Sequence, residues 1–215
     1  MVKPRNILET PWTLWYEMRP EAEQATSGYY GERLQQVCSM ESVEEFHQYY
    51  SYMKTPESLP NHATLYIFRE GVKPMWESLP EGGAWTFRIK RGDARLNPAW
   101  EKLALSCVGE GLGSANVAGI VLGSRPKDFV LSVWLKSGQS SELRFEIMNH
   151  LRELWDLTEG DVLQYKEFSA SIKDGNGRVN AVTYRMKGKS ASNSKSKRYI
   201  LPDPVGGSFT FNYTN

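Results

Sequence analysis

Alternating apolar and polar residues predict β-strands along much of the chain. Between Trp12 and Glu17, large apolar side chains recur at every second position, which is the period of a strand. In a strand over 129–136, the aliphatic side chains would share one face and leave Trp134 on the opposite, wetter face. The strands predicted in this way cover residues 12–17, 33–39, 65–69, 85–90, 117–123, 129–136, 161–168, 179–186 and 198–201.

Three other segments carry apolar residues at helical spacing and predict amphipathic helices. The first begins at Ser42, where Ser42 and Glu45 form a capping box, and it ends before Pro56. Ser140 or Ser141 is positioned to cap the third. The apolar stripes are Val43, Phe46, Tyr50 and Met53, then Trp100, Leu103, Ala104 and Cys107, then Leu143, Ile147, Leu151 and Leu154.

These elements together indicate an α+β fold in a single domain. About eight strands with three interspersed helices favour a sheet that carries its helices on one face. A length of 215 residues is sufficient for one substantial core. We expect a flexible lead at 1–9, one folded domain at 10–201 and a C-terminal tail at 202–215.

Composition restricts the function classes. A net charge of +1 argues against a protein that coats nucleic acid through charge alone, although a local basic site stays possible. The two cysteines lie far apart without metal-ligand spacing, which favours a reducing compartment and no metal site. Neither a membrane-spanning run nor a signal sequence is found, so we expect a cytoplasmic protein, with a nuclear location as the alternative.

Catalytic motifs are missing from the sequence. It contains no nucleophile elbow, no phosphate-binding loop of the GxxxxGK[ST] type and no zinc-protease motif. The three histidines are scattered over two predicted helices and a loop. The glycine-rich run 109–113 follows a helical pattern, not the strand that a dinucleotide fingerprint requires. We therefore expect binding and not catalysis, with no cofactor.

The stretch 71–77 carries the most informative chemistry. Gly71 and Pro74 predict a loop, which would present the aromatic face of Trp76 beside the carboxylate of Glu77. Such a pair suits a planar, electron-poor ring that carries N–H donors. Aromatic residues at 29–30 and cations in the turn at 125–127 would add a second stacking face and phosphate contacts.

Several tryptophan-containing motifs follow one another in a distinctive order. They are TPWTLW at 10–15, SVEEF at 42–46, PMWE at 74–77, GGAW at 82–85, NPAWE at 97–101, VAGIV at 117–121 and VW at 133–134. This order resembles the cap-binding translation initiation factor 4E family, whose members bind the 7-methylguanosine cap of mRNA. The resemblance covers residues 7–201 and implies a curved antiparallel sheet with three helices on its convex face.

The resemblance also implies roles for individual residues in a guanine-binding slot. Trp76 and Tyr30 would sandwich the base, although most members have Trp at the second position. Glu77 would bind the guanine edge, with the backbone N–H of Trp76 on O6, and Trp134 would contact the N7-methyl group. Arg125 and Lys127 match phosphate-binding positions. Val130 replaces a further phosphate-contacting lysine, whose role would pass to Arg88, Lys90 or Lys189.

The partner surface of the family lies on the helices and takes a Tyr-x-x-x-x-Leu-hydrophobic peptide of a scaffold or repressor. Val43 and Leu105 match that surface, but His47 stands where the family has a hot-spot Trp. Glu101 and Lys102 also depart from the family pattern. We expect a divergent member with its own partner. Recruitment of mRNA to the initiation machinery is the favoured function, with a cap-binding repressor or an RNA-processing enzyme as alternatives.

Overall fold

Eight antiparallel strands form one sheet in the computed structural model, in the order β2-β1-β3-β5-β6-β4-β7-β8. The structure describes residues 5–19, 33–113, 115–176 and 179–186, with the backbone of 199–200 and 210–211. The strands of the large sheet are β1 Ile7–Met18, β2 Gln35–Ser42, β3 Ala63–Arg69, β4 Gly83–Lys90, β5 Val117–Ser124, β6 Asp128–Leu135, β7 Val162–Glu167 and β8 Val182–Arg185. A separate pair joins β9 Tyr199–Ile200 to β10 Thr210–Phe211.

The described helices are α1 Val43–Tyr52, α2 Leu96–Val108, α3 Ser141–Leu154 and α4 Phe168–Asp174. The predicted caps of α1 and α3 are confirmed, because Ser42 accepts from the N–H of Glu45 and Ser140 from that of Leu143. Glu45 reaches back to the N–H of Glu41, one residue before the expected capping-box partner. None of the described helices has the length and apolar character needed to cross a membrane.

The main core lies between the sheet and α1–α3. Every second residue of the central strands points into it, including Phe87 of β4 and Leu131 of β6, as the alternation predicted. Trp100 of α2 and Ile147 of α3 cover these strand residues and are themselves buried. The α+β prediction is confirmed, with the three predicted helices α1–α3 on one face of the sheet. The opposite face, here called the pocket face, carries only the short helix α4 among the described helices.

A second, smaller apolar cluster covers one end of the pocket face. Tyr66, Phe68, Trp134 and Phe168 belong to it, and Trp76 packs against it. The side chain of Phe168 reaches this cluster because α4 folds onto this face after β7. Aromatic side chains therefore cover one end of the pocket face, and a cavity remains over the rest of it.

Several sequence-based boundaries differ from the structure. β1 begins at Ile7, inside the predicted flexible lead, because Ile7 pairs with Ser42 and the carbonyl of Asn6 accepts from the N–H of Val43. Helix α2 begins at Leu96, before Pro98, which is tolerated in a first turn since its missing N–H has no helical partner there. β10 likewise lies within the predicted tail.

Helix α4 was not predicted. The sequence predicted a strand through Phe168, whereas β7 ends at Glu167 and a seven-residue helix follows. Gly175 ends that helix in the left-handed conformation, with φ of 61°. So short a helix has too little periodicity to be distinguished from a strand end.

Candidate functional site

A cavity of about 530 Å³ opens on the pocket face. Its lining brings together five of the residues predicted to form the site, although they are distant in sequence: Trp76, Glu77, Arg88, Arg125 and Trp134. Lys127 is exposed in the turn between β5 and β6 and does not line this cavity. Tyr30 and Lys189 lie outside the described residues, so their predicted roles stay predictions.

The floor of the cavity consists of cross-strand rows, which follow from the register of the sheet. At one end, Phe68 pairs through Gly119 with Trp134, and Trp134 pairs with Ala84 on β4. Ala84 in turn pairs with Lys166 on β7, which ends the row. We call it the aromatic row because of Phe68 and Trp134. Because side chains on one face recur every second residue, successive rows lie about 7 Å apart.

The middle row is small and polar. Tyr66 pairs with Val121, and Val121 pairs with Ser132. The hydroxyl of Ser132 lies 3.0 Å from that of Thr86 on β4, and Gln164 continues the row on β7. Most of these side chains are short and extend little from the sheet, so the space above them is available to a ligand.

The third row carries the charge. Glu17 pairs with Thr64, Thr64 with Gly123, and Gly123 with Val130. Arg88 lies directly across from Val130 on β4. From Trp134 to Val130 along β6 is four residues, which places the charged row about 13 Å from the aromatic row.

Trp76 and Glu77 stand above the aromatic end, on a 3₁₀ turn at Trp76–Ser78. Trp76 is half-buried and packs against the second apolar cluster. Its backbone N–H has no hydrogen-bond acceptor among the described residues. Glu77 is exposed and makes no hydrogen bond or ion pair within the described part of the chain. Both groups are thus available to a ligand.

Trp134 is more enclosed than the sequence suggested. Trp134 lies on the predicted face, opposite the main core, but only 7% of it is exposed, so its surroundings are less solvent-accessible than predicted. The ring of Phe168 lies 4.5 Å from it, and that of Phe68 lies 5.3 Å away edge-on. Trp134 therefore presents a limited apolar surface to the cavity, as part of an aromatic wall that it shares with Phe168.

Arg125 lies across the surface of β5 at the charged end. Its guanidinium donates to the hydroxyl of Thr64 at 3.3 Å and to the carbonyl of Ser124 at 2.9 Å. A Cβ on Gly123 would lie 2.9 Å from this guanidinium, so the glycine makes room for it. Burial, followed by the positive potential of Arg19, lowers the pKa of Arg125 below its usual value.

Two residues at the site were missed by sequence reasoning. Glu17 is fully buried and accepts from the hydroxyl of Tyr66 at 2.8 Å. Nε of Arg19 and Nε of Arg33 lie 3.3 and 3.6 Å from the same carboxylate. A glutamate at an alternate strand position normally indicates a solvent-facing side chain, and only the packing of the pocket face reverses that expectation.

Lys166 is the second residue that was missed. Its ammonium donates to the carboxylate of Asp174 and to the carbonyl of Asn176, each at 2.7 Å, and also to the carbonyl of Val179. These bonds hold the segment after α4 against β7, where Asn176 lines the cavity. Sequence offered no signal, because the contact joins residues across a turn of unpredicted shape.

The predicted partner residues lie away from the cavity. Val43 and Leu105 are exposed on α1 and α2. His47 is also exposed, and its Nδ1 lies 3.3 Å from the hydroxyl of Ser51 on the same helix. Lys102 pairs with Asp156 at 2.7 Å. The structure thus leaves apolar side chains of both helices open to solvent.

Comparison with known sequences places the chain among eukaryotic initiation factor 4E proteins. A family model described as Eukaryotic initiation factor 4E matches residues 7–183. The Eukaryotic translation initiation factor 4E-1 of Schizosaccharomyces pombe is 33% identical over 181 residues, covering 81% of this chain and 81% of that protein. The Eukaryotic translation initiation factor NCBP of Triticum aestivum is 32% identical, covering 75% of this chain and 69% of that protein.

Solved structures share the fold. A complex of Ascaris suum eIF4E-3 with the m7G cap superposes with a TM-score of 0.74 at 23% identity, covering 86% of this chain and 100% of that one. A complex of C. elegans eIF4E-3 with the 4E-binding protein Mextli gives 0.71 at 24% identity, covering 79% of this chain and 97% of that one. At this level of identity, the likeness concerns the architecture of the sheet and helices.

Proposed function

Because the chain belongs to the eukaryotic initiation factor 4E family, we propose that its cavity binds the 7-methylguanosine cap of mRNA. One observation carries the proposal. Trp76 and Glu77 stand side by side at the aromatic end of a cavity whose other end holds Arg88 and Arg125. A ring-stacking face, a carboxylate and distant cations are the features that a methylated guanine with a phosphate chain requires.

The base would stack on Trp76. Methylation at N7 gives guanine a positive charge, so a cation–π attraction adds to ordinary base stacking of about 1–3 kcal/mol per ring. The aromatic wall of Trp134 and Phe168 would receive the N7-methyl group. Unmethylated guanine lacks the charge, and the site would discriminate against it. Tyr30 is the proposed second stacking ring, as the resemblance implies.

The guanine edge would be recognised by Glu77. Its carboxylate would accept from the N1–H and the exocyclic amine in a charge-assisted pair, while the N–H of Trp76 would donate to O6. Adenine presents a different arrangement of donors and acceptors, so Glu77 would lose its hydrogen bonds. Glu77 lines the cavity, is exposed and makes no hydrogen bond or ion pair within the described residues, which supports this role.

The phosphates would extend toward the charged row, where Arg125 and Arg88 line the cavity. Lys127, on the adjacent turn, would contribute from outside the lining. Lys189 is a further candidate from the sequence. The loss of a lysine at Val130 is offset in part by Arg88, which lies directly across from it.

The proposed role of the bound cap is recruitment of mRNA to the initiation machinery, without catalysis, in the cytoplasm. The surface around Val43, His47 and Leu105 would take a helical peptide of a scaffold or inhibitor. That a structural relative was solved with a 4E-binding protein supports this proposal. The replacement at His47 favours a second candidate, a repressor that holds the cap without engaging the usual scaffold.

Retention on a 7-methyl-GTP matrix tests the proposal. We expect elution by 7-methyl-GTP and not by GTP, and loss of retention in Trp76→Ala and Glu77→Ala. Tyr52→Ala, which removes an exposed aromatic side chain at the end of α1, serves as the control and should be retained. Equal elution by GTP would refute cap recognition. Release of a methylated nucleotide from a capped oligonucleotide would instead indicate an enzyme.

A further inference from the structure

The middle row of the pocket face carries hydrogen-bonding groups that the described part of the chain leaves partly unused. Ser132, Thr86 and Gln164 lie side by side on β6, β4 and β7, and all three line the cavity. The hydroxyls of Ser132 and Thr86 lie 3.0 Å apart, so one donates to the other and the second keeps its own O–H. The side chain of Gln164 is half-buried and has no hydrogen-bond partner among the described residues.

These groups bring three hydrogen-bond donors to one place. The carboxamide of Gln164 supplies two N–H groups, and the hydroxyl pair supplies one O–H. The other members of the row do not add to them, because Val121 is apolar and the hydroxyl of Tyr66 donates to Glu17 at 2.8 Å. A bound group that only accepts hydrogen bonds would engage all three donors, which are costly to leave unpaired once a ligand excludes water from the cavity.

The middle row lies between the two ends of the cavity that the proposed function uses. The aromatic row with Trp134 is about 7 Å to one side of it, and the charged row with Val130 and Arg88 is about 7 Å to the other. In a 5′-nucleotide, the ribose separates the base from the first phosphate. A base above the aromatic row, with its phosphates directed toward Arg88, therefore carries its first phosphate across the middle row.

We propose that Gln164, Ser132 and Thr86 form an uncharged subsite for the first phosphate of the cap, the one bonded to the 5′ oxygen of 7-methylguanosine. The inference rests on the proposed function and adds neutral donors to its cations. Phosphate oxygens only accept hydrogen bonds and carry negative charge, so each donor forms a charge-assisted bond. Ribose hydroxyls need acceptors as well as donors, so three free donors suit the phosphate better.

Equilibrium titration of three variants tests the subsite, with 7-methylguanosine and 7-methyl-GMP as the probes. Gln164→Met removes two donors, and Gln164→Glu places a negative charge beside the phosphate. A triple variant adds Ser132→Ala and Thr86→Val to Gln164→Met. Its effect on folding should be small, because both members of the hydroxyl pair become apolar together.

The matched control is the triple variant Thr13→Val, Ser39→Ala and Gln139→Met. The hydroxyls of Thr13 and Ser39 lie 3.5 Å apart in a cross-strand pair of the same kind, and Gln139 is an exposed glutamine. None of these three residues lines the cavity. The control should therefore bind both probes as the wild type does.

We expect the Gln164→Met triple variant to bind 7-methyl-GMP about tenfold more weakly than the wild type, and Gln164→Met alone about threefold more weakly. Gln164→Glu should lose more than Gln164→Met, because its charge repels the phosphate. The affinity for 7-methylguanosine should stay unchanged in all of them.

An equal loss for the nucleoside and the monophosphate would assign the row to the ribose or the base and overturn the proposal, as would no loss at all. Equal binding of GMP and 7-methyl-GMP by the wild type would refute cap recognition itself, and the subsite with it. Because this second result is read from the wild type alone, the two failures are distinguishable.

Discussion

Arg88 lies directly across from Val130 in the β4–β6 pair, with both side chains on the pocket face. The family resemblance gave a phosphate-contacting lysine at the position of Val130. In the proposed site, Arg88 takes over the phosphate contact, so the cation is shifted by one strand, about 5 Å, to β4. Asp128 holds Arg88 at 3.3 Å, so the guanidinium is oriented before a ligand arrives.

Replacement of this shifted cation should weaken phosphate binding. We expect Arg88→Gln to cost about 1.5–3 kcal/mol in the binding of 7-methyl-GTP and to leave 7-methylguanosine nucleoside unchanged, because the lost hydrogen bonds reach only the phosphates. Titration followed by tryptophan fluorescence measures both affinities. A loss of equal size with the nucleoside would mean that Arg88 supports the base-binding end instead.

The carboxylate of Glu77 should determine base identity. Glu77→Gln keeps the shape but removes the charge, so we expect a loss of about 2–3 kcal/mol in 7-methyl-GTP binding. Glu70→Gln is a suitable control, because Glu70 is an exposed carboxylate just before the same loop and does not line the cavity. Unchanged affinity in Glu77→Gln would exclude edge recognition by this residue.

Gly123 should act on binding through Arg125. A methyl group at this position would meet the Arg125 guanidinium at 2.9 Å, and that flexible side chain can move away at little cost to folding. We expect Gly123→Ala to lower 7-methyl-GTP affinity by about 1 kcal/mol with the melting temperature unchanged.

A double-mutant cycle with Arg125→Gln separates this mechanism from a general disturbance of β5. If Gly123 acts only by positioning Arg125, the double variant should bind no more weakly than Arg125→Gln alone. Additive losses would mean that the alanine disturbs the sheet or the cavity by itself.

The helix surface should govern partner choice independently of the cap. We expect Val43→Asp and Leu105→Asp to abolish binding of a helical Tyr-x-x-x-x-Leu-hydrophobic peptide, with retention on 7-methyl-GTP unchanged. His47→Trp should strengthen the binding of a standard scaffold peptide by about 2 kcal/mol, because it restores an aromatic anchor. Calorimetric titration measures both effects. Ordinary affinity of the wild type for that peptide, unaffected by His47→Ala, would contradict a divergent partner surface.

The ion pair of Arg69 and Glu110 predicts a pH dependence of stability. Arg69 is buried and donates to the Glu110 carboxylate at 2.7 Å, which holds the pKa of Glu110 below its usual value. A lowered folded-state pKa gives stability that is fully present above the unfolded value of about 4.3 and is lost as the pH falls through the folded value.

We expect Glu110→Gln to lower the free energy of unfolding by about 1–2 kcal/mol at pH 7, less than for a fully buried pair because Glu110 is partly exposed. The difference from the wild type should shrink below about pH 4. Urea unfolding at a series of pH values measures it. A difference that stays constant down to pH 3 would rule out the charge of Glu110 as its origin.

Most of the sheet could be predicted because the face to which a strand side chain points depends only on its position in the local alternation. The alternation at Phe87 and Leu131 specified which side chains enter the main core, and the cap of α1 was visible in Ser42 and Glu45. The tryptophan motifs also indicated which distant residues would meet in one cavity. These features depend on short-range periods or on family patterns.

The parts that were missed depend on contacts between distant residues. Glu17 looks solvent-facing in its strand, yet Tyr66, Arg19 and Arg33 together satisfy it in a buried position. The enclosure of Trp134 depends on Phe168, which reaches it only because α4 folds onto the pocket face. Neither arrangement leaves a periodic signal in the sequence.

The cavity combines two kinds of backbone support. The residues proposed to bind the base, Trp76 and Glu77, stand on a single 3₁₀ turn, whereas Arg88 projects from a central strand and Arg125 lies across β5. Insertions or substitutions in the turn can thus change which base is accepted without altering the register of the sheet. Base preference and phosphate binding can therefore evolve separately. A change of cap preference would require changes in the turn and not in the fold.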